Sequence, residues 1–174
     1  MLQLRLATLN DLPAVMEIFD QARLFLKQNS IPQWQDGTPN KSTFFEDIKQ
    51  EDLFLFVNET EILGIAALKL GPDPFYDVIK QGEWLSDAQY YTIHRFAMSS
   101  KYRGEHLSEP FFKELFEIIA KRGIYHVRID THPQNAGMQH VISKLGFQYC
   151  GIVEVKQEQS DPIRKAYELK IKKE

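Results

Sequence analysis

The chain has 174 residues, 43% of them hydrophobic, which is enough for one domain with a buried core and requires no second domain. Its formal net charge of −3, with acidic and basic residues mixed throughout, excludes the basic face typical of nucleic-acid binding and mildly favours a cationic small molecule as partner. A single cysteine, Cys150, excludes an internal disulfide and a cysteine metal cluster, and no apolar run approaches the ~20 residues that span a membrane, so we expect a cytoplasmic protein.

The first part of the chain predicts a strand followed by two helices. Residues 2–7 alternate apolar and polar side chains, as a strand with one buried face does. From Leu12 to Leu26 apolar residues recur at helical spacing, which predicts the first helix. After a loop rich in proline and glycine, Ser42 or Thr43 is predicted to cap a second, shorter helix.

The rest of the chain is predicted to contain six more strands and two more helices. The strands are expected as a hairpin within residues 53–68 and at residues 89–98, 124–130, 147–155 and 163–171. The two helices follow the third and fourth of these strands and end near Gly123 and Gly146, because glycine is a common stop signal for a helix. Irregular chain with one helical turn is expected at residues 71–87.

This order of elements predicts an α+β fold in one domain, residues 1–174. The single strand-helix-strand crossover, at residues 89–130, forces one pair of strands to be parallel, and the hairpins elsewhere favour antiparallel pairs. We therefore expect a mixed, mostly antiparallel sheet with helices on both faces. The helix that follows the carboxyl end of the crossover strand begins where anionic ligands bind in such sheets.

The strand-to-helix turn in the sequence FAMSSKYRGEHLSEPFF has features of a phosphate site. Free backbone N–H groups and the positive end of the helix dipole attract a phosphate. Arg103 adds a fixed positive charge, and Gly104 lets the backbone approach a ligand closely. An ordinary chain reversal would use similar residues, so the turn alone leaves both interpretations open.

The surrounding sequence resembles the acetyl-CoA-binding half of the GNAT N-acetyltransferase superfamily. The signature Arg/Gln-x-x-Gly-x-Gly/Ala of that family begins here at Arg103, with His106 and Ser108 at the two positions for small residues. A second, closer match consists of Asn135, Met138 three residues later, and a helix that ends in Leu-Gly-Phe. The resemblance covers the whole chain in the order of its elements.

The resemblance implies that acetyl-CoA is the cosubstrate. In that family the amides after the arginine hold the pyrophosphate of coenzyme A, and the end of the preceding strand pairs its backbone with the pantetheine arm. The implied coenzyme A ligands in this sequence are Phe96, Ala97, Met98, Arg103, Gly104, Glu105, His106, Leu107, Ser108, Asn135 and Met138. Asn135 is also a candidate cap for its own helix.

Departures from the family pattern in the turn lower the expected affinity for coenzyme A. A bulky residue is tolerable at His106 only if its φ is negative. Ser108 is itself a candidate to cap the helix, and Pro110 cannot donate a hydrogen bond. Fewer backbone amides would then face the phosphates. The negative charge of Glu109 would repel them.

His94 is the candidate general base. Acetyl transfer to an amine needs a neutral nucleophile, and the ordinary pKa of a histidine, about 6.5, suits proton removal at neutral pH. His94 stands at the second histidine of the His-x-His-x-Leu-Ala-Val pattern of serotonin N-acetyltransferases, with Thr92 at the first. The alternative is a histidine that is simply hydrogen-bonded within the sheet. The backbone N–H of Met98 is the candidate donor to the thioester carbonyl.

The usual general acid of the family is absent. Many members place a tyrosine seven residues after the helix asparagine, where this chain has Ile142, and Tyr149 and Cys150 on the next strand are weak substitutes. A thiolate with an ordinary thiol pKa of about 8.5 leaves without full protonation, so catalysis is expected to be impaired rather than excluded. The alternative function is a non-catalytic acyl-CoA-binding or interaction module with the same fold.

The candidate acceptor residues are Trp34, Asp36, Tyr76 and Trp84. They fall in two irregular stretches that, by the resemblance, flank the acceptor cleft, and an aromatic ring near a carboxylate suits a cationic amine. The alternative is that the tryptophans anchor these loops to the core. The predicted acceptor is a primary amine of a small molecule or peptide, attacked directly in a ternary complex. The histidines lack metal-ligand spacing, so no metal is predicted, and a homodimer is as compatible with the sequence as a monomer.

Overall fold

The computed structural model describes residues 1–173, which form one seven-stranded sheet and four α-helices. The strands are β1 (Gln3–Leu6), β2 (Leu53–Val57), β3 (Ile62–Leu70), β4 (Tyr91–Met98), β5 (His126–Thr131), β6 (Gln148–Glu154) and β7 (Ile163–Lys170). The helices are α1 (Leu12–Gln28), α2 (Lys41–Lys49), α3 (Ser108–Lys121) and α4 (Ala136–Lys144). The predicted order of elements is confirmed, including one helical turn, a short 3-10 helix at Pro74–Tyr76, in the irregular stretch before β4.

The sheet has the strand order β1-β2-β3-β4-β5-β7-β6, and within residues 1–173 its one parallel pair is β4 with β5. The mixed, mostly antiparallel sheet predicted from the sequence is therefore confirmed. The parallel register covers Tyr91 with Val127 and Thr92 with Arg128 and then ends. Beyond it β4 continues along β3, and β5 continues along β7. The carboxyl halves of β4 and β5 thus diverge, and the gap between them is called the β4–β5 opening below.

Helices cover both faces of the sheet because its central strands are apolar on both sides. In β2 all five residues are buried and alternate between two cores. Phe54 and Phe56 pack in the core under α3 and α4, whereas Leu53, Leu55 and Val57 pack in the core under α1 and α2. This two-sided burial explains the continuous apolar sequence LFLFV. No helix in the described part of the chain has both the length and the apolar character needed to cross a membrane.

Two predictions about helix caps are wrong. Helix α2 is capped by Asn40 rather than by Ser42 or Thr43: Asn40 Oδ1 accepts from the Thr43 amide at 3.2 Å, and Thr43 Oγ1 accepts from the Asn40 amide at 3.1 Å. This reciprocal capping box favours Asn40 among three residues of similar capping propensity. Ser108 is the first residue of α3 and does not cap it, because Leu107 holds the cap position without a side-chain hydrogen bond.

Strand β4 contains a bulge that the sequence did not predict. Arg95 and Phe96 together face the single Ala66 of β3, and the φ of Arg95 is +53°. The extra residue reverses the alternation of side chains along the strand. As a result Phe96 stacks on Phe112 of α3, with ring centroids 4.4 Å apart, while His94, two residues earlier, lies on the opposite face of the sheet.

A buried ion pair accompanies this bulge. The Arg95 guanidinium donates from Nε to Asp47 Oδ2 at 2.7 Å and from Nη2 to Asp47 Oδ1 at 2.8 Å. The Asp47 side chain is only 3% exposed, and it also lies 3.2 Å from the Nζ of Lys69. Because a bidentate pair fixes both partners in direction as well as distance, it stabilises a backbone conformation that a non-glycine residue rarely adopts.

We expect Asp47→Ala to lower the free energy of unfolding by about 3 kcal/mol, because it leaves a largely buried guanidinium without its carboxylate. Urea denaturation of the two proteins measures the difference. Asp20→Ala is the control, since Asp20 forms an exposed ion pair with Arg23 at 3.5 Å and its loss should change stability by less than about 1 kcal/mol. Equal effects of the two substitutions would contradict a stabilising role for the bulge pair.

Candidate active site

A cleft of about 920 Å³ passes through the β4–β5 opening. It is lined by the carboxyl half of β4, the turn before α3, the start of α4, α1, α2 and the loops at residues 72–75 and 155–158. Of the predicted coenzyme A ligands, all except Glu105 line this cleft: Phe96, Ala97, Met98, Arg103, Gly104, His106, Leu107, Ser108, Asn135 and Met138. The fold therefore brings together two segments that are about thirty residues apart in the sequence.

The edge of β4 at the opening carries free backbone groups. Ser99 donates its amide to Leu63 on the β3 side at 2.8 Å. Because successive amides of a strand point to opposite edges, the Met98 N–H is directed away from β3 and toward the opening. This orientation is the one required for the predicted hydrogen bond from Met98 to a thioester carbonyl.

The turn before α3 presents a row of free amides. Within residues 1–173 the N–H groups of Gly104, His106, Leu107, Ser108 and Glu109 donate to no protein acceptor, whereas Glu105 donates to the carbonyl of Tyr102 at 3.2 Å. Gly104 and His106 are left-handed and Leu107 is right-handed, and such a mixture of conformations in a turn can form a main-chain anion site. The exception, Glu105, is also the predicted ligand that does not line the cleft.

The condition of a negative φ at residue 106 is not met. His106 has a φ of +58°, close to the left-handed conformation of Gly104 at +84°. Histidine is one of the non-glycine residues that adopt this region most often, and the His106 side chain is exposed and uncrowded. The backbone thus keeps the conformation that the family signature provides with glycine.

Charged groups flank the free amides. The Arg103 guanidinium stacks on the Phe25 ring at 4.0 Å and, among the described residues, forms no ion pair. Glu109 is 3.1 Å from Lys113 and 3.5 Å from Lys144, and these lysines lower the pKa of its carboxyl. The negative charge expected to repel phosphates is therefore accompanied by two positive charges.

Asn135 caps α4, one of its two predicted roles. Its Oδ1 accepts from the Met138 amide at 3.1 Å, and its Nδ2 is 3.5 Å from the Oε1 of Gln33. The cap fixes the side chain at the start of the helix, where it lines the cleft. A contact between Asn135 and pantetheine stays a prediction.

His94 is paired with a carboxylate. Its Nε2 is 2.8 Å from Asp73 Oδ2, its side chain is 21% exposed, and it lines the cleft. Asp73 is itself held by two hydrogen bonds: its Oδ1 accepts from the Phe75 amide at 2.9 Å, and its own amide donates to the Tyr90 hydroxyl at 2.8 Å. Within residues 1–173, His94 Nδ1 has no partner, so a proton on Nε2 leaves Nδ1 with a free lone pair.

The hydrogen bond between His94 and Asp73 also changes the pKa of the Asp73 carboxyl. Burial opposes ionisation of its carboxyl, but the hydrogen bond from His94 and the charge of that histidine outweigh burial and lower the Asp73 pKa below its ordinary value. An ionised Asp73 therefore stabilises the fold above the ordinary carboxyl pKa, and this contribution is lost as the pH falls through the lowered value. Near neutral pH the pair contains an anionic carboxylate.

One of the four predicted acceptor residues lines the cleft. Trp34 does so, whereas Asp36 turns outward to accept hydrogen bonds from Ser160. Tyr76 and Trp84 pack together behind the cleft, with ring centroids 5.1 Å apart and the Trp84 indole donating to the Tyr76 carbonyl at 3.0 Å. For Trp84 the geometry fits the alternative role as a loop anchor.

The loop that carries Trp34 is joined to the β6–β7 loop. Glu158 accepts a hydrogen bond from the Trp34 amide, and Ser160 Oγ donates to Asp36 Oδ1 at 2.7 Å. Glu158 also holds the buried guanidinium of Arg164, and both side chains line the cleft. The two loops together form part of the wall of the cleft.

The residues considered as general acids lie elsewhere. Ile142 is fully buried in the core under α3 and α4, as its apolar side chain requires. Tyr149 is half exposed and Cys150 is buried, and neither lines the cleft. Burial raises the pKa of the Cys150 thiol, which makes it a weaker proton donor. In residues 1–173, no three His, Cys, Asp or Glu side chains are placed to hold a metal ion.

Residues 13–147 match the model of the acetyltransferase (GNAT) family. The chain belongs to this family. It shares 35% identity with a GNAT family acetyltransferase from Streptococcus agalactiae, over 99% of this chain and 96% of that one, with a TM-score of 0.88. Among curated proteins none matches the chain significantly.

Less similar GNAT structures share the fold. A GNAT family acetyltransferase from Listeria monocytogenes is 18% identical over 98% of this chain and 95% of that one, with a TM-score of 0.75. The ribosomal-protein-S18-alanine N-acetyltransferase from Escherichia coli is 15% identical over 100% of this chain and 96% of that one, with a TM-score of 0.66. At these identities the likeness concerns the fold alone.

The site fits the coenzyme A that GNAT proteins use. Free amides before α3 suit a pyrophosphate, the free guanidinium of Arg103 adds a positive charge, and the free edge of β4 suits an amide-containing arm. A side chain added at Gly104 would meet no atom within 4 Å, so the turn is open on that side. The free amides, the guanidinium and the free strand edge are all present in this chain, and they agree with its membership of the GNAT family.

We expect His106→Val to lower the free energy of unfolding by about 1–2 kcal/mol, because a β-branched side chain strongly disfavours a positive φ. His106→Gly is the matched control. It removes the strain and adds chain entropy to the unfolded state, so its stability should stay within about 1 kcal/mol of the original protein. Urea denaturation distinguishes them, and a valine variant as stable as the glycine variant would argue against a left-handed residue here.

Proposed function

We propose that this GNAT protein transfers the acetyl group of acetyl-CoA to a primary amine of a small molecule or peptide, by direct attack in a ternary complex. The observation that supports this most is the continuity of one cleft, which connects the free amides before α3 to the Asp73–His94 pair through the β4–β5 opening. Anion-binding and proton-accepting groups thus face a common space. The single cysteine is consistent with a cytoplasmic enzyme.

In the proposed reaction, one part of the cleft binds coenzyme A and the other binds and deprotonates the acceptor. Arg103 and the amides from Gly104 to Glu109, other than that of Glu105, hold the pyrophosphate, and the backbone of Phe96 to Met98 together with Asn135 holds the pantetheine arm. Coenzyme A supplies the activated acetyl group. The Met98 N–H, directed into the opening, donates a hydrogen bond to the acetyl carbonyl and stabilises the negative charge that develops on it.

His94 acts as the general base. Asp73 holds the imidazole with its Nε2 protonated, so the Nδ1 lone pair accepts the proton that the ammonium of the acceptor must lose before attack. Asp73 also stabilises the imidazolium that results. This carboxylate is therefore a positioning residue that acts through His94. The bond from the acetyl carbon to sulfur then breaks, and coenzyme A leaves as the thiolate, because a thiol with a pKa of about 8.5 needs no tyrosine at the position of Ile142 to protonate it first.

Acetyl-CoA at about 100 times its dissociation constant should add roughly 2.7 kcal/mol to stability and raise the Tm by about 5–10 °C. We expect Arg103→Ala to weaken this binding by about tenfold to a hundredfold, because a charge-assisted contact is lost. Lys101→Ala is the control, since Lys101 is paired with Glu61 and does not line the cleft. Differential scanning fluorimetry against ligand concentration measures both, and an unchanged Tm would count against coenzyme A binding altogether.

His94→Ala should abolish most of the acetyl transfer, measured as free coenzyme A thiol released from acetyl-CoA in the presence of a panel of amines at pH 6–9. The rise in the Tm of the variant on addition of acetyl-CoA should be retained.

Asp73→Asn should reduce kcat/KM by about tenfold to a hundredfold, because His94 loses the partner that orients its ring. It should also move the acid limb of the pH–rate profile to lower pH, because the anion that stabilises the imidazolium is gone.

Two results would contradict this mechanism. Unchanged turnover by His94→Ala across this pH range would exclude His94 as the base. A clear Tm shift by acetyl-CoA without thiol release from any amine would favour the non-catalytic acyl-CoA-binding module.

A further inference from the structure

A second carboxylate, Asp130 on β5, lines the cleft without a positive partner. Its Oδ2 accepts a hydrogen bond from the Tyr76 hydroxyl at 2.5 Å, and in the part of the chain that the structure describes it forms no ion pair. Burial and the negative charge of Asp130 raise the pKa of Tyr76 well above its ordinary value. The phenol is therefore a neutral hydrogen-bond donor to the Asp130 carboxyl group.

Asp130 lies across the β4–β5 opening from His94. Thr92 and Arg128 are the last residues in parallel register, and His94 and Asp130 each follow two positions later. Because side chains alternate along a strand, all four are on the same face of the sheet, opposite to α3 and α4. Tyr76 bridges the two strands, since its ring centroid is 6.1 Å from that of His94.

The hydroxyl of Thr92 is an independent sign of a ligand at this place. Thr92 is only 1% exposed, it lines the cleft at the point where the two strands separate, and its Oγ1 has no hydrogen-bond partner within residues 1–173. A buried hydroxyl without a partner is costly. A ligand that carries a hydrogen-bond donor to Asp130 would have this hydroxyl as a neighbour.

Most cations that share the cleft with Asp130 are already engaged. Arg164 is 1% exposed, and its guanidinium binds Glu158 and the carbonyls of Asp161 and Ile163. Burial lowers the pKa of Arg164, and the charge of Asp130 offsets only part of this lowering. Arg95 and Lys69 are paired with Asp47, and the His94 imidazole is hydrogen-bonded to Asp73. Arg103, the cation of the cleft lining that forms no ion pair among the described residues, lies at the turn before α3 and stacks on Phe25.

We propose that Asp130, together with the Thr92 hydroxyl, binds a second cationic nitrogen of the acceptor, one that does not react. This inference rests on the proposed function. The reacting nitrogen must lose its proton to His94, and a carboxylate bound to it would keep it protonated. The lasting partner of Asp130 is therefore a different nitrogen of the same molecule, and the acceptor belongs to the class of aliphatic diamines or of larger amines that present such a pair.

Equilibrium binding to the protein saturated with coenzyme A tests this without requiring turnover. The probes are α,ω-diaminoalkanes of three to six carbons and the ω-amino alcohols of the same lengths, measured by isothermal titration calorimetry. We expect at least one diamine to bind about tenfold to a hundredfold more tightly than its amino alcohol, as a charge-assisted hydrogen bond provides. Asp130→Asn should remove this preference and leave the affinity for the amino alcohol within about twofold.

Two further variants keep the test independent of folding defects. Thr92→Val preserves the charge of Asp130 and should reduce the preference for the diamine severalfold. Glu154→Gln removes a carboxylate that does not line the cleft and should leave the preference unchanged. The Tm of each variant with coenzyme A shows whether its fold and cosubstrate site are intact.

The results also separate this inference from the proposed function. No diamine preference in the original protein, no diamine binding, or a preference that survives Asp130→Asn would overturn the second-nitrogen site, even if monoamines are acetylated. Diamine binding that depends on Asp130 without thiol release from acetyl-CoA would support the site and contradict the acetyltransferase reaction.

Discussion

The divergence of β4 and β5 after Thr92 is the constraint on which the site depends. Parallel strands joined through a helix normally stay paired, so two edges with unpaired backbone groups inside a sheet are costly unless something else binds them. Here β5 obtains its hydrogen bonds from β7, and β4 keeps those to β3. The remaining groups of β4 face the cleft, and the ligand sites proposed above all border this one opening.

The bulge at Arg95 determines which side chains reach each side of the opening. It lets Phe96 join the core under α3 while His94 stays on the opposite face. The part of the cleft near Phe96, which we propose for coenzyme A, is consequently lined mainly by backbone groups and apolar residues, and the part near His94, which we propose for the acceptor, by ionisable ones. Asp47 of α2 binds Arg95 in the bulge. Helix α2 therefore also supports the backbone geometry of β4, the strand that carries His94.

Local patterns in the sequence were sufficient for the elements and their order, because burial on one or both faces imposes a period on each segment. The residues predicted to bind coenzyme A come from two short segments, and all except Glu105 line one cleft, while their contact with the ligand stays a prediction. The surroundings of His94 could not be predicted, because its partner is Asp73, which lies in another loop, and no local pattern indicates that contact. Patterns likewise do not give the direction of a loop side chain, and so Tyr76 and Trp84 were expected in the cleft although they pack behind it.

The joined loops on the acceptor side have a consequence for how relatives change their substrates. Since Glu158 binds the backbone of Trp34 and Ser160 binds Asp36, these loops behave as a single wall. A substitution that reshapes one loop displaces the other and also disturbs the charge balance of Arg164. We therefore expect a change of acceptor preference to need paired replacements in both loops, while the strand that we propose to hold the cosubstrate can remain unaltered.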